Sequence, residues 1–141
     1  MEVKIKRLTE TAIIPTKAHS TDACFDLYAD DETVIASGKS ATLHTGITTE
    51  IPNGFFAAVF PRSGMGIKRH LRLSNSTGII DSDYRGEWVV SLHNDGNETQ
   101  VINKGDRVAQ FAILPVLDAK LIESELTETD RGTGGLGSTG N

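Results

Sequence analysis

The sequence predicts an all-β fold, and three features of the chain indicate it. Most apolar residues alternate with polar ones along segments of five to nine residues, which is the pattern of half-buried strands. Turn-forming runs such as PNG at 52–54 and KGD at 104–106 separate these segments at short intervals. Only two stretches are compatible with a helix, and both are short. This combination is typical of a sandwich or barrel-like β-domain.

The strand segments follow one another along the chain with the same period of two. In the last of them, 107–116, both faces are apolar, which predicts a central strand that is covered on both sides. In the others one face is apolar and the opposite face is polar or mixed, so we expect one buried face. The alternating apolar residues are Val3 and Ile5; Leu43, Ile47 and Ile51, with Thr45 and Thr49 between them; and Trp88, Val90 and Leu92.

The two helix-compatible stretches are 63–70 and 118–126. The first begins with Ser63, a suitable N-cap, and ends with three potential cations, which a helix C-terminus favours. It predicts one or two helical turns. The second stretch fits a helix and a strand about equally well, and we favour a strand.

Length, charge and cysteine content narrow the class of protein. A chain of 141 residues predicts a single domain, 1–141. The net charge of −5 argues against nucleic-acid binding, which needs clustered cations. Cys24 is the only cysteine, and the longest apolar run, 55–60, is far shorter than the roughly 20 residues that span a membrane. We therefore expect an intracellular protein without a nucleic-acid or membrane partner.

Three polar clusters are candidates for chemistry, although each has an ordinary structural explanation. Residues 131–141 contain five glycines and form either a flexible tail or a wrap around an anion. They are not a dinucleotide fingerprint, because no βαβ unit can follow them. The PRSG run at 61–64 is a phosphate contact or a simple capped turn. The run GIIDSDYRG at 78–86 offers two carboxylates or is a polar hairpin turn.

Taken together in order, these runs resemble the five motifs of the trimeric dUTP pyrophosphatases, or dUTPases. The motifs are ACFDLYA at 23–29, PRSG at 61–64, GIIDSDYRG at 78–86, GDRVAQ at 105–110 and RGTGGLGSTG at 131–140. The resemblance covers essentially the whole chain. It implies a distorted jelly-roll or β-clip fold of short strands with one short helix. It also implies a homotrimer in which residues 131–141 form an exchanged, flexible arm that closes an active site.

The implied activity is Mg²⁺-dependent hydrolysis of dUTP to dUMP and pyrophosphate, which limits uracil incorporation into DNA and supplies dUMP for dTMP synthesis. By this resemblance Asp81 activates the attacking water, Gln110 holds the same water, and Asp26 binds Mg²⁺ through water molecules. A single outer-sphere carboxylate is sufficient because Mg²⁺ keeps several waters and binds substrate phosphates. The implied substrate-binding residues are Arg62, Ser63, Gly64, Asn75, Gly78, Ile80, Tyr84, Arg131, Leu136, Gly137, Ser138 and Thr139.

The resemblance assigns separate tasks to these residues. The sequence departs from the family pattern at three places: Leu136, Cys24 with Phe25 in the first motif, and Met65 with Gly66 after PRSG. Asn75, Gly78 and Ile80 would read the uracil edge, and Tyr84 would pack under the deoxyribose and exclude a 2′-hydroxyl. Leu136 stands where the family usually has an aromatic residue that stacks on uracil. We also expect ion pairs of Asp83 with Arg85 and of Asp106 with Arg107, with purely structural roles.

Two other functions remain open from the sequence. A dCTP deaminase shares the fold, but it needs a glutamate base over the pyrimidine and lacks the intact GIIDSDYRG run. A nucleotide-gated interaction protein, with a regulatory protein partner if the chain comes from a phage, is compatible with every motif.

Overall fold

A computed structural model of the chain describes residues 1–135. Within those residues the chain forms eleven short strands and one short helical segment, so the all-β prediction is confirmed. The strands are β1 (Lys4–Arg7), β2 (Phe25–Tyr28), β3 (Thr33–Ile35), β4 (Ser40–His44), β5 (Ile47–Glu50), β6 (Phe55–Phe60), β7 (Leu71–Leu73), β8 (Gly78–Ile80), β9 (Val89–Asn94), β10 (Gln100–Ile102) and β11 (Arg107–Pro115). The helical segment is Gly64–Lys68, between β6 and β7.

The strands form antiparallel sheets, of which two are larger than a single pair. The larger one has the order β2-β11-β6-β8, and the smaller one has the order β4-β9-β7. Strand β11 lies between β2 and β6, as predicted for a central strand. Its residues Val108 and Ala109 are both fully buried, although the pairing with β2 is irregular between Arg107 and Ala109.

Aromatic contacts connect the two larger sheets. The ring of Trp88, just before β9, meets the ring of Phe111 on β11 edge-on at 4.9 Å, and Phe25 on β2 stacks on Phe111 at 5.4 Å. Val90 and Leu92 are buried together with Trp88, whereas Val89 is half exposed. The predicted alternation over this segment is therefore confirmed. Such ring pairs favour edge-to-face or offset geometry and fix how the two sheets pack.

The segment 43–51 is two strands, although its alternation predicts one. β4 ends at His44 and pairs with β9, whereas β5 begins at Ile47 and pairs with β1. The chain turns at Gly46, whose φ is +65°. A Cβ there would lie 2.7 Å from the Cβ of Ala12 and 2.8 Å from Oδ2 of Asp30. Only glycine fits this corner, because both the φ angle and the close neighbours exclude a side chain.

The two helix-compatible stretches had different outcomes. The short helix is present, but it is a π-helical segment, and Ser63 is itself in the helical region and makes no side-chain capping bond. The prediction of Ser63 as an N-cap is therefore wrong. The strand at 118–126 is also wrong: the segment lies extended without pairing, and Leu121 and Leu126 are almost fully exposed. Within residues 1–135, no helix is long and apolar enough to cross a membrane.

Candidate active site

One candidate site lies where β2, β11 and β6 run side by side. On β11, Gln110 pairs with Asp26 of β2 on one side and with Phe60 of β6 on the other. The Gln110 side-chain amide donates to the carbonyl of Pro61 at 2.9 Å. The sheet register thus brings together Asp26, Gln110 and the start of the PRSG run. These residues belong to three separate motifs of the sequence.

Two arginines bind the carboxylate of Asp26. Arg62 Nε donates to Oδ1 at 2.7 Å, and Arg107 Nη1 donates to Oδ2 at 3.2 Å. Arg62 also donates to the carbonyl of Arg107 at 3.3 Å. Two guanidinium groups and one carboxylate leave this trio with one net positive charge. An anion can therefore bind here, and Arg107 can reach it because its side chain is half exposed.

The PRSG run forms the entry into the short helix. The N–H groups of Met65 and Gly66 both donate to the Arg62 carbonyl, at 3.0 and 3.1 Å. The Ser63 hydroxyl makes no hydrogen bond to the helix end. Ser63 and Gly64 thus stand beside Arg62, next to the Asp26 carboxylate. No backbone cap competes for the Ser63 side chain.

A second group of predicted residues lines a small cavity beside β8. Asn75, Gly78 and Ile80 surround a space of about 110 Å³, together with side chains of β6 and β9. Gly78 pairs with Val59 of β6, and a Cβ on Gly78 would lie 3.2 Å from the Cβ of Val59. The cavity exists because the chain passes this close to β6 without a side chain.

Asp81 directly follows β8 and begins a tight turn. The N–H of Tyr84 donates to the Asp81 carbonyl at 3.2 Å, and Arg85 Nη1 donates to the Ser82 carbonyl at 2.7 Å. Asp81 is exposed on an open cavity of about 820 Å³, lined also by residues 53–56 and 116–119. Its carboxylate is accessible to solvent, as a group that deprotonates water must be.

Within one chain, Asp81 and Gln110 lie far apart. Ile80, next to Asp81, pairs with Ala57 of β6, whereas Gln110 pairs with Phe60 on the opposite edge of β6. Strand geometry places Asp81 and Gln110 about 13 Å apart along the strands and about 10 Å apart across them. One chain therefore holds the two parts of the predicted site separately: Asp26, Arg62 and Gln110 in one part, and Asp81 with the Asn75 cavity in the other.

Comparison with known proteins identifies the family of the chain. The dUTPase family model matches residues 10–140. A protein of Clostridium acetobutylicum, named deoxyuridine 5′-triphosphate nucleotidohydrolase, is 45% identical over 99% of this chain and 97% of its own length. The chain belongs to the dUTPase family. A protein of Nautilia profundicola with the same name is 43% identical over 99% of each chain.

Solved dUTPase structures have the same fold. A dUTPase of Staphylococcus bacteriophage 80alpha, determined with dUPNHPP, superposes with a TM-score of 0.91 at 27% identity and covers 99% of both chains. A dUTPase of S. aureus phage phi11, described with a structural Mg(II) ion, gives a TM-score of 0.83 at 26% identity over 92% of this chain and all of the phage chain. The jelly-roll or β-clip prediction is thereby confirmed.

The fifth dUTPase motif, residues 131–140, is described only as far as residue 135. Arg131 Nε donates to the carbonyl of Gly134 at 2.9 Å, and Gly132 N donates to the carbonyl of Thr129 at 2.9 Å, so these residues form a local turn. The predicted substrate contacts Leu136, Gly137, Ser138 and Thr139 lie outside the described residues.

Two expected ion pairs are wrong, and their correction adds a residue to this dUTPase site. Arg107 binds Asp26, while Asp106 lies 3.8 Å from Arg69 and accepts a hydrogen bond from the backbone of Asn103. Arg85 binds the carbonyls of Ser82 and Tyr84 and makes no ion pair with Asp83. Sequence reasoning missed Arg107, although its place two residues after Gly105 in GDRVAQ was the available signal.

Proposed function

We propose that this chain hydrolyses dUTP to dUMP and pyrophosphate as a Mg²⁺-dependent homotrimer. One observation carries the proposal: Asp26, Arg62 and Gln110 come together from three adjacent segments of the β2-β11-β6 sheet. A net positive trio beside a hydroxyl and a glycine suits a triphosphate. Membership of the dUTPase family, with relatives named nucleotidohydrolases, supports the substrate.

In this mechanism Asp81 takes a proton from a water molecule. The water oxygen attacks the α-phosphorus of dUTP in line with the bond to the bridging α,β-oxygen. That bond breaks, its electron pair leaves with pyrophosphate, and the attacking oxygen stays on dUMP. Gln110 holds the water through its side-chain amide. Asp81 is exposed after β8, so water has direct access to its carboxylate.

The phosphates would lie against Arg62, Ser63 and Gly64. The charge that develops on the leaving pyrophosphate is stabilised by donors that are already in place, and the uncapped Ser63 hydroxyl is one such donor. Arg107 adds a second guanidinium beside Asp26.

Asp26 would hold Mg²⁺ through bound waters, and the ion would neutralise charge on the phosphates. Residues 1–135 contain no group of three or more His, Cys, Asp or Glu side chains that could hold a metal ion, so an all-protein cage is not formed there. A single carboxylate fits Mg²⁺ bound mainly by substrate phosphates and water. Both oxygens of this carboxylate already accept a hydrogen bond from an arginine. The remaining lone pairs would accept hydrogen bonds from Mg²⁺-bound waters.

Selection of the nucleoside would rest on the Asn75 cavity and Tyr84. Asn75 and the backbone around Gly78 and Ile80 would offer donors and acceptors to the uracil edge in this small cavity. A cytosine amino group would leave buried polar groups unpaired, so the site would reject cytosine strongly. Tyr84 would pack under the deoxyribose and exclude a 2′-hydroxyl.

The separation of Asp81 from Gln110 within one chain supports a site shared between chains. In a cyclic trimer, Asp81 and the base cavity of one chain would face Asp26, Arg62 and Gln110 of its neighbour. Residues 131–141 would form the arm that closes over the phosphates, with Arg131, Ser138 and Thr139 on the γ-phosphate and Leu136 with Gly137 over the base. The domain would then comprise residues 1–141.

The experiment is a pyrophosphate-release assay with Mg²⁺ on dUTP, dCTP, dTTP and UTP, run for the wild type and for Asp81→Asn. We expect release from dUTP alone and its loss in the variant, with unchanged folding by circular dichroism. Deamination of dCTP without pyrophosphate release would indicate the dCTP deaminase alternative. Full activity of Asp81→Asn would refute the role of Asp81.

A regulatory function is a second candidate. A structure similar over 99% of both chains belongs to work on phage dUTPases that control transfer of virulence genes by a G protein-like mechanism. By that similarity, this chain would bind a protein partner in a nucleotide-dependent manner. Pull-down from host extract with and without a non-hydrolysable dUTP analogue tests this, and identical partner recovery in both conditions would contradict it.

A further inference from the structure

The turn that follows Asp81 holds the ring of Tyr84 at a defined place. The Tyr84 hydroxyl donates to the backbone carbonyl of Glu87 at 3.1 Å. The ring lies directly over Gly86: a Cβ added there would overlap the Tyr84 hydroxyl oxygen and would lie 2.5 Å from Cζ. The backbone φ of Gly86 does not require glycine. Glycine is required because the Tyr84 ring occupies the space that a side chain would need.

The side chain of Glu87 connects the turn that carries Tyr84 to the corner between β4 and β5. Its Oε1 accepts the N–H of Gly46 at 2.9 Å, and its Oε2 lies 2.8 Å from Nδ1 of His44. Both partners belong to the corner between β4 and β5, where the conformation of Gly46 is itself fixed by close packing. Glu87 therefore joins a rigid corner of the fold to the turn that carries Tyr84.

The next residue is anchored without Glu87. Trp88 N donates to the Ile47 carbonyl at 2.9 Å, and Thr45 Oγ1 donates to the Trp88 carbonyl at 2.5 Å. Trp88 is also fully buried against Phe111. These contacts do not involve the Glu87 carboxylate, and they also anchor the Glu87 carbonyl, which shares a planar peptide group with the Trp88 N–H. We therefore expect loss of the carboxylate to free the residues before this peptide group while the core stays in place.

We propose that Glu87 is a positioning residue that holds the Tyr84 ring against Gly86, and that this pair sets discrimination against a 2′-hydroxyl on the nucleotide. The inference rests on the proposed function, since it deepens the role given there to Tyr84. Gly86 lies against the hydroxyl end of the ring, and Tyr84 as a residue keeps 44% of its surface exposed, which leaves room for a sugar to pack on it. A ring that can swing away from Gly86 leaves room for a ribose.

The test compares Glu87→Ala, Glu87→Gln and Gly86→Ala with the wild type. Glutamine at position 87 keeps an oxygen for the Gly46 N–H, whereas alanine at position 87 keeps neither contact. In Gly86→Ala, the added Cβ displaces the Tyr84 ring directly. We expect the ratio of kcat/KM for dUTP to that for UTP to fall about tenfold or more in Glu87→Ala and Gly86→Ala, the size of one lost specificity contact. Glu87→Gln should stay near the wild-type ratio.

Glu98→Ala, which removes a carboxylate from the turn after β9, is the matched control and should leave the ratio unchanged. A general loss of stability would lower turnover of both nucleotides equally, so the ratio separates positioning from folding. An unchanged ratio in Glu87→Ala and Gly86→Ala, with wild-type selectivity present, would overturn the inference.

A second readout does not depend on activity. Nuclear Overhauser contacts between Tyr84 ring protons and the Gly86 Hα protons should be present in the wild type and in Glu87→Gln, and lost in Glu87→Ala. Their persistence in Glu87→Ala would overturn the positioning role even if the wild type hydrolysed no dUTP. Absence of dUTP hydrolysis in the wild type would instead refute the proposed function.

Discussion

Gln110 lies directly opposite Asp26 across the β2–β11 ladder, and each belongs to a different motif of the sequence. The same register keeps Gln110 away from Asp81, because Asp81 follows β8 on the far edge of β6. Residues that act on one water molecule must lie within hydrogen-bond reach of it. The geometry of one chain therefore requires a second chain for the proposed reaction.

Mixing two inactive variants should restore activity if the site is shared. Asp81→Asn and Gln110→Ala should each be nearly inactive alone. After mixing, denaturation and refolding, about a quarter of the sites in randomly assembled cyclic oligomers should combine an intact Asp81 with an intact Gln110. Pyrophosphate release from dUTP measures the recovery.

The control for this mixture is each variant taken through the same refolding cycle alone, which should stay inactive. A mixture that remains inactive, while refolded wild type regains activity, would contradict a site built from two chains.

Gly46→Ala should destabilise the fold strongly. The variant places a side chain at a positive φ, which costs about 1–2 kcal/mol. It also forces a Cβ to within 2.8 Å of Asp30 and Thr9, and such overpacking adds about 1–3 kcal/mol. Urea unfolding should show a loss of about 2–5 kcal/mol in the free energy of unfolding.

Gly38→Ala is the matched control for this variant. Gly38 has a similar φ of +68°, but a Cβ there has no neighbour within 4 Å. Gly38→Ala should lower the free energy of unfolding by only about 1–2 kcal/mol, which is the cost of the backbone conformation alone. Equal losses in the two variants would show that packing around Gly46 contributes nothing.

These positions show how far the sequence predicts the fold. The alternation of Trp88, Val90 and Leu92 gave their buried face correctly, because a strand has one period and one apolar side. The same rule wrongly predicted one strand from Leu43 to Ile51. The chain turns at Gly46 because of its close contacts with Ala12 and Asp30, which are distant in sequence. Local patterns do not contain such contacts.

The candidate site shows the same difference between what local sequence patterns predict and what depends on distant contacts. Motif order in the sequence identified Asp26, Arg62 and Gln110, and the structure brings these three together. The pairing of Asp106 with Arg107 was expected from adjacency, yet Asp106 lies in the turn before β11, where it accepts a hydrogen bond from the Asn103 N–H. Arg107 begins the strand and lies half exposed beside Asp26. The strand expected at 118–126 failed because no strand among residues 1–135 pairs with it.

His44 should make stability depend on pH. The hydrogen bond to Glu87, together with the negative charge of Glu87 and, more weakly, of Asp31, raises the pKa of His44 above 6.5. A group with a raised folded pKa stabilises fully below its unfolded pKa, and this contribution is lost as pH rises through the folded pKa. The free energy of unfolding should therefore fall between about pH 6 and pH 8 more steeply in the wild type than in His44→Gln.

Urea unfolding of both proteins at several pH values in that range measures the difference. Parallel curves for the wild type and His44→Gln would show that the His44–Glu87 contact carries no pH-dependent stability.

Leu136→Phe should tighten the closing arm. In the proposed role, an aliphatic residue at the place of the usual aromatic one would cover the base but would lack stacking, which is worth about 1–3 kcal/mol per base. The variant should lower KM for dUTP by about fivefold or more, since 1 kcal/mol corresponds to about that factor. It should also increase protection of residues 131–141 from proteolysis when a non-hydrolysable dUTP analogue is present. Leu136→Ile, which cannot stack, is the control, and a Phe variant with unchanged KM and unchanged protection would contradict the role of residue 136 over the base.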